Sequence, residues 1–153
     1  MANIERELAR HTVIGLDTAI FIYHLEAHLD YLPLTRAILQ GVQAGQWQAI
    51  TSTITIMELT TRPWQLNRPD IARQYEIILA NFPNLRLREV DRDVARRAAQ
   101  LRATHNLRPA DALQVATAIV HQATAWVSND KKLKRLASIL EIIILEEFIG
   151  QTP

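Results

Sequence analysis

Residues 12–16 form a short apolar run closed by Asp17, and Ile22, Leu25 and Leu29 then recur at helical spacing, which predicts strand, turn and helix. A second stripe, Leu34, Ile38, Leu39 and Val42, predicts a helix ending near Gly45. The run 48–51 reads as a strand, and the next helix passes through Glu58 and stops at Pro63. Ile71, Tyr75, Ile78, Leu79 and Phe82 outline an amphipathic helix, and residues 85–90 alternate as a half-buried strand should. Asp91 is a natural N-cap for a helix turning Val94, Ala98 and Leu101 inward. Pro109 opens another that runs to about Ala123. Residues 110–123 hold no Lys or Arg and are apolar almost all round, which predicts a helix packed between other elements. Residues 125–128 read as a buried strand, Asn129 and Asp130 as a turn and cap, 131–137 as a short helix and 141–145 as a last strand.

Strands alternating with helices favour parallel pairing, because parallel strands need long crossovers and helices supply them. The expected fold is a three-layer α/β/α domain with a mainly parallel sheet. A chain of 153 residues holds one such domain, with residues 1–10 as an N-terminal extension. Apolar content of 48% and charged content of 22% fit an ordinary globular core. The absence of cysteine excludes disulfides, thiolate zinc sites and cysteine nucleophiles. The first ten residues lack the apolar core of a signal peptide, and no run approaches the ~18 apolar residues of a membrane span, so a cytoplasmic protein without membrane contact is expected. A net charge of +1 leaves any nucleic-acid binding to local clusters of Arg and Lys.

Four acids stand out. Asp17 and Asp130 follow predicted strands, where open α/β sheets bind ligands. Asp111 lies in the first turn of the most apolar helix, and Glu58 sits among Ile54, Ile56, Met57 and Leu59. Clustered carboxylates away from water need a compensating cation, and an all-oxygen set suits Mg²⁺ or Mn²⁺. Such an ion activates water and stabilises charge on a phosphoryl oxygen, the two needs of phosphodiester hydrolysis. A structural reading competes. Asp17, Asp111 and Asp130 all stand at helix starts, where acids cap amides, and Glu58 has Arg62 four residues on as an ion-pair partner. Asp17 and Asp111 have no acceptable partner three or four residues ahead, and linear sequence does not show whether the four meet.

Seven arginines between Arg86 and Arg108, and Lys131, Lys132, Lys134 and Arg135 after Asp130, are candidates for phosphate contact, with a solvated face as the competing account. His24 and His28 have zinc-pair spacing, but Glu26 is misplaced for the H-E-x-x-H motif. Gly15, Gly41, Gly45 and Gly150 are too scattered for a phosphate-cradling loop, and Asp91 with Asp93 is accounted for by helix capping.

Four segments in order, Val-Ile-Gly-Leu-Asp17-Thr18, Thr51-Ser52-Thr-Ile-Thr-Ile-Met-Glu58, Pro109-Ala-Asp111-Ala-Leu-Gln and Trp126-Val-Ser128-Asn129-Asp130-Lys131, resemble the PIN-domain family, specifically the small VapC-type toxin ribonucleases of toxin–antitoxin pairs. The resemblance runs from about Val13 to Leu145. It implies a sheet of about five strands and a metal-dependent endoribonuclease with Asp17, Glu58, Asp111 and Asp130 as catalytic and metal-holding residues around Mg²⁺ or Mn²⁺. Thr18, Ser52 and Asn129 would support them, and Lys131, Lys132 and Lys134 would grip substrate. It also implies an RNA substrate, a cognate antitoxin and a homodimer. Two positions depart from the family pattern. Lys132 replaces a frequent further acid, and Ala19 replaces a frequent Asn or Ser. The alternative is a catalytically weak or inactive module that binds RNA, or a partner docked on exposed apolar residues such as Trp64 and Trp47.

Overall fold

The computed structural model describes residues 3–150. The two ends of the expected 1–153 domain, including the first two residues of the expected extension, lie outside them. The order is α1 (Ile4–Leu8), β1 (Val13–Leu16), α2 (Thr18–Leu25), α3 (Leu32–Gln43), β2 (Gln48–Ser52), α4 (Thr53–Gln65), α5 (Pro69–Asn81), β3 (Leu85–Arg88), α6 (Arg92–His105), α7 (Pro109–Val120) and β4 (Ala125–Ser128). A 3₁₀ turn (Lys131–Leu136), β5 (Glu141–Ile144) and a second 3₁₀ turn (Leu145–Phe148) follow. The five strands form one sheet in the order β3-β2-β1-β4-β5, every pairing parallel.

The pleat sorts the strand side chains into two cores. Ile14 and Leu16 of β1, with Ala125 and Val127 of β4, join the core beneath α1–α5. Val13 and Trp126 face the other way, into the core beneath α6, α7 and the first 3₁₀ turn. The three-layer parallel fold expected from the alternation of elements is the one observed.

Several local expectations need correction. Residues 3–10, expected as an N-terminal extension, carry α1, whose Ile4 and Leu8 are buried in the main core. The first helix ends at Leu25, before Leu29, which stands 91% exposed beyond Ala27, a residue with φ of +51°. Pro63 does not stop α4. The helix runs through it to Gln65, and the turn at left-handed Asn67 closes it as the Arg68 amide donates to the Pro63 carbonyl at 2.8 Å. On α5 the buried residues are Ala72 and Leu79, while Ile78 from the apolar stripe is exposed. Helix α7 ends at Val120, three residues early, at the left-handed turn of Gln122. Trp47 is buried rather than available to a partner. Its ring lies against Gly41 and its indole N–H donates to the Ile38 carbonyl at 3.1 Å.

Gly15 sits where sheet and helix approach most closely. A Cβ there would stand 2.6 Å from Trp126 Cε3 and 2.7 Å from Ala118 Cβ of α7. Both neighbours belong to packed elements and neither is a flexible chain end. Gly15→Ala is therefore expected to lower stability by about 1–3 kcal/mol, read as a lower urea midpoint with unchanged slope.

Candidate functional site

In the strand order β2-β1-β4, successive crossovers leave β1 in opposite directions, and the carboxyl ends of β1 and β4 border the gap where open parallel sheets hold ligands. Leu16 pairs with Val127, so Asp17 and Ser128 come level at that edge. The Ser128 hydroxyl donates to Asp17 Oδ2 at 2.6 Å, the Asp17 amide donates to the Val127 carbonyl at 3.0 Å, and the Asp130 amide donates to Ser128 Oγ at 3.1 Å. Asp17 occupies the N-cap position of α2, yet its side chain makes no capping bond. Burial pushes its carboxyl up from 3.8 to about 6. The negative charges of Glu58 and Asp111 add to that rise, while the Ser128 bond and the Thr18 amide oppose it.

Glu58 is fixed from the opposite side. The Thr18 hydroxyl donates to Glu58 Oε1 at 2.7 Å. The Gln114 amide nitrogen lies within reach of Thr18 Oγ1 (2.9 Å), Thr55 Oγ1 (3.0 Å) and Glu58 Oε1 (3.3 Å), while its oxygen accepts from Ser52 at 2.8 Å. Ser52 in turn caps α4 by accepting from the Ile54 amide, and Thr51 bonds Thr55 and the Leu16 carbonyl. One buried network thus ties β1, β2, α2, α4 and α7 together. Among the described residues Glu58 forms no ion pair with Arg62; its Oε1 accepts from α2 and α7 instead.

Asp111 has a partner that counting forward along the helix misses. Arg108, three residues behind it, donates from Nε to Asp111 Oδ2 at 3.1 Å. Asp130 Oδ1 accepts from the Lys132 amide at 3.0 Å, so of the three aspartates at helix starts this one does serve as a cap. The four acids act electrostatically on common groups. Asp17 feels Glu58 and Asp111, and the Arg108 guanidinium, already held protonated by its bond to Asp111, is further stabilised by Asp130 and Glu58. Among the described residues no three His, Asp or Glu side chains are grouped tightly enough, as they stand, to ligate a metal. The donor chemistry nevertheless fits a hard divalent cation. It is all oxygen, the half-buried Asp17 is destabilised as an anion, and Arg108, the cation bonded to Asp111, is largely in solvent.

The other residues singled out by sequence divide. Thr18 and Ser52 are in the network. Asn129 instead donates to the Tyr23 hydroxyl at 3.3 Å and accepts from the Glu146 amide at 3.0 Å. Lys131 pairs with Glu146 at 2.8 Å and Lys134 with Glu147, so both ammonium groups are already engaged, whereas Lys132 shows no carboxylate partner among the described residues. Of the seven arginines only Arg108 reaches the acids; Arg96 pairs with Asp93 and Arg102 bonds the Leu107 carbonyl. His24 faces Thr35, and His28 accepts backbone amides, which leaves no zinc pair. Sequence reasoning passed over Gln114, Thr55 and Ser128 as members of the site, and Arg108 as the partner of Asp111. An amide in the middle of the apolar stretch 110–123 was the available signal for Gln114.

The raised Asp17 carboxyl has a signed consequence. Between pH 3.8 and about 6 the folded protein keeps a proton that the unfolded chain releases, so this group's contribution to stability falls as pH rises through that window. Asp17→Asn removes the effect. In EDTA, urea melts should show the variant gaining on the parent between pH 4 and pH 7, by ~3 kcal/mol at most. A constant difference across that range would contradict it.

No curated protein matches the chain by sequence. Among solved structures, a toxin–antitoxin complex from Klebsiella pneumoniae is similar at 22% identity, covering 86% of this chain and 97% of that one with a TM-score of 0.63. VapBC2 from Rickettsia felis, bound to a promoter DNA fragment, gives 18% identity, 85% and 96% coverage and a TM-score of 0.67. FitAcB from Neisseria gonorrhoeae gives 22%, 87%, 98% and 0.63. The PIN domain matches residues 14–139, a span that runs from within β1 past β4 and holds all four carboxylates, and the chain therefore belongs to the PIN domain family.

Proposed function

We propose that this PIN domain is a Mg²⁺- or Mn²⁺-dependent endoribonuclease and the toxin of a toxin–antitoxin pair. The observation that carries the reading is Asp17, a half-buried residue at the sheet's switch point whose carboxyl is desolvated, with two further acids raising its pKa. Such a group is costly as an anion and becomes favourable when a divalent cation joins it. Asp17, Asp111 and Asp130 would hold the ion, and Glu58 would join them or orient the attacking water. When bound, the cation supplies a more acidic water and neutralises charge building on the phosphoryl oxygen.

The chain's own groups prepare that chemistry. Ser128 restrains one oxygen of Asp17 and, through the Asp130 amide, fixes the turn that presents Asp130. Thr18 and Gln114 hold Glu58 in one orientation, so a water accepted there would be aimed rather than free to tumble. Arg108 restrains Asp111 from the solvent side, where it also lends positive charge to an approaching phosphodiester.

An apolar groove beside Glu58 would serve as the partner surface. Helices α2, α4 and α5 enclose a groove of about 370 Å³ walled by Ile22, Leu25, Leu59, Leu66 and Tyr75, with Glu58 and Arg62 on its rim. Leu66 and nearby Trp64 are more than half exposed. An amphipathic helix of an antitoxin would bury them and cover Glu58 together.

Purified protein should cleave labelled RNA with Mg²⁺ or Mn²⁺, and EDTA or Asp111→Asn should reduce the rate by roughly 10²-fold or more without unfolding it. Cleavage by the folded variant at the parent's rate would sink the assignment. RNA bound but never cut would support the non-catalytic module instead. Leu66→Glu should weaken antitoxin binding at least roughly tenfold in calorimetry while leaving RNA cleavage unchanged; unaltered binding would move the partner elsewhere.

A further inference from the structure

The four acids are held by donors of two kinds. Asp17 accepts from the Ser128 hydroxyl, Glu58 from the Thr18 hydroxyl and the Gln114 amide, and Asp130 from the Lys132 backbone amide. Those donors are all neutral, and a carboxylate held by a neutral donor keeps its charge for a cation. Asp111 differs, because its Oδ2 accepts from a guanidinium, Arg108 Nε, at 3.1 Å. Its charge is already matched by a cation of the protein.

Arg108 has a fixed backbone and a free side chain. It is the N-cap residue of α7, in the extended conformation that a following proline favours (φ −65°, ψ 150°), and its carbonyl accepts from the Ala112 amide at 2.9 Å. The side chain caps no amide and is 77% exposed. Its Nε bonds Asp111, while its two terminal nitrogens make no hydrogen bond among the described residues. An arginine pair built for stability is bidentate and shielded from water, whereas this one is single and open, so it breaks at small cost. The guanidinium also lies within electrostatic reach of Asp130 and Glu58. Among the described residues no three acids stand close enough together to ligate an ion, so at least one carboxylate has to turn. Asp111 is the one whose orientation is set by a bond that solvent can reach.

We propose that Arg108 is a built-in counter-ion that Asp111 exchanges for the divalent cation: as the carboxylate turns inward its bond to Arg108 Nε breaks, and the guanidinium is released on the solvent side. The inference rests on the metal-dependent ribonuclease reading and adds a regulation of that site. Arg108 is a positioning residue. It keeps Asp111 compensated and turned outward until an ion arrives, and so raises the ion concentration at which the four acids load. Two cations on one carboxylate repel each other, which favours exchange over sharing. By linkage, the pair then weakens ion binding by as much as the pair itself is worth.

The test is the arginine Nε–Hε magnetic-resonance spectrum of the isotope-labelled full chain, in EDTA and then at rising Mg²⁺, with the Arg108 signal assigned by its loss in Arg108→Gln. In EDTA that signal should stand apart from those of solvent-exposed arginines. Saturating Mg²⁺ should move it among them, and Asp111→Asn should place it there in EDTA. Calorimetry with Mn²⁺, without RNA, gives a second readout on variants whose fold near-UV circular dichroism confirms. Arg108→Gln should bind Mn²⁺ roughly 2- to 5-fold more tightly, the range an exposed ion pair is worth. Lys132→Gln removes a nearby charge that has no carboxylate partner among the described residues, and should change the affinity less. A signal unmoved at saturating Mg²⁺ would show Arg108 and the ion sharing Asp111 and overturn the exchange. Weaker Mn²⁺ binding in Arg108→Gln would overturn it by making Arg108 a brace for Asp111, and equal tightening in both variants would reduce it to a diffuse field. Each of those results leaves the metal-dependent nuclease standing, because the ion still binds. No shift of any signal with Mg²⁺ and no heat with Mn²⁺ would overturn both.

Discussion

The bond from Ser128 to Asp17 joins two strands that are 111 residues apart in sequence and adjacent in space. It exists because β4 enters the sheet on the far side of β1 from β2, so the carboxyl ends of β1 and β4 open onto the one place where crossovers diverge. Burial works against the charge on Asp17, and Glu58 and Asp111 increase that opposition, while Ser128 and the Thr18 amide reduce it. The fold therefore makes the Asp17 anion costly.

Gln114 answers the same constraint from the other layer. An amide at 3% exposure in the middle of an apolar helix would be costly alone, but here it touches Thr18, Ser52, Thr55 and Glu58. Because the network spans both faces of the sheet edge, α4 and α7 cannot shift relative to each other without leaving several buried polar atoms unpaired. Rigidity at Glu58 follows from that cost.

Surface charge plays a smaller part than the sequence's Arg- and Lys-rich segments imply. Lys131 and Lys134 face Glu146 and Glu147, Arg96 faces Asp93, and these exposed pairs contribute little to stability. Their effect is to blunt the positive field near Asp130.

The sequence by itself determined the order of strands and helices from β1 onward, the parallel three-layer class and which four acids to single out, since each is written locally as apolar periodicity, a cap or an acid in an apolar setting. Capping at Asp91 and inward Val94, Ala98 and Leu101 were legible for the same reason. Only the tertiary structure decided which acids act as caps, that Glu58 turns to Thr18 and Gln114 rather than to Arg62, that Arg108 holds Asp111, that Trp47 is interior and that Pro63 lies within its helix. Each of these depends on what stands opposite a residue across the fold, and burial and long-range partners overrule local preference because an unpaired buried group costs more than a favourable local contact returns.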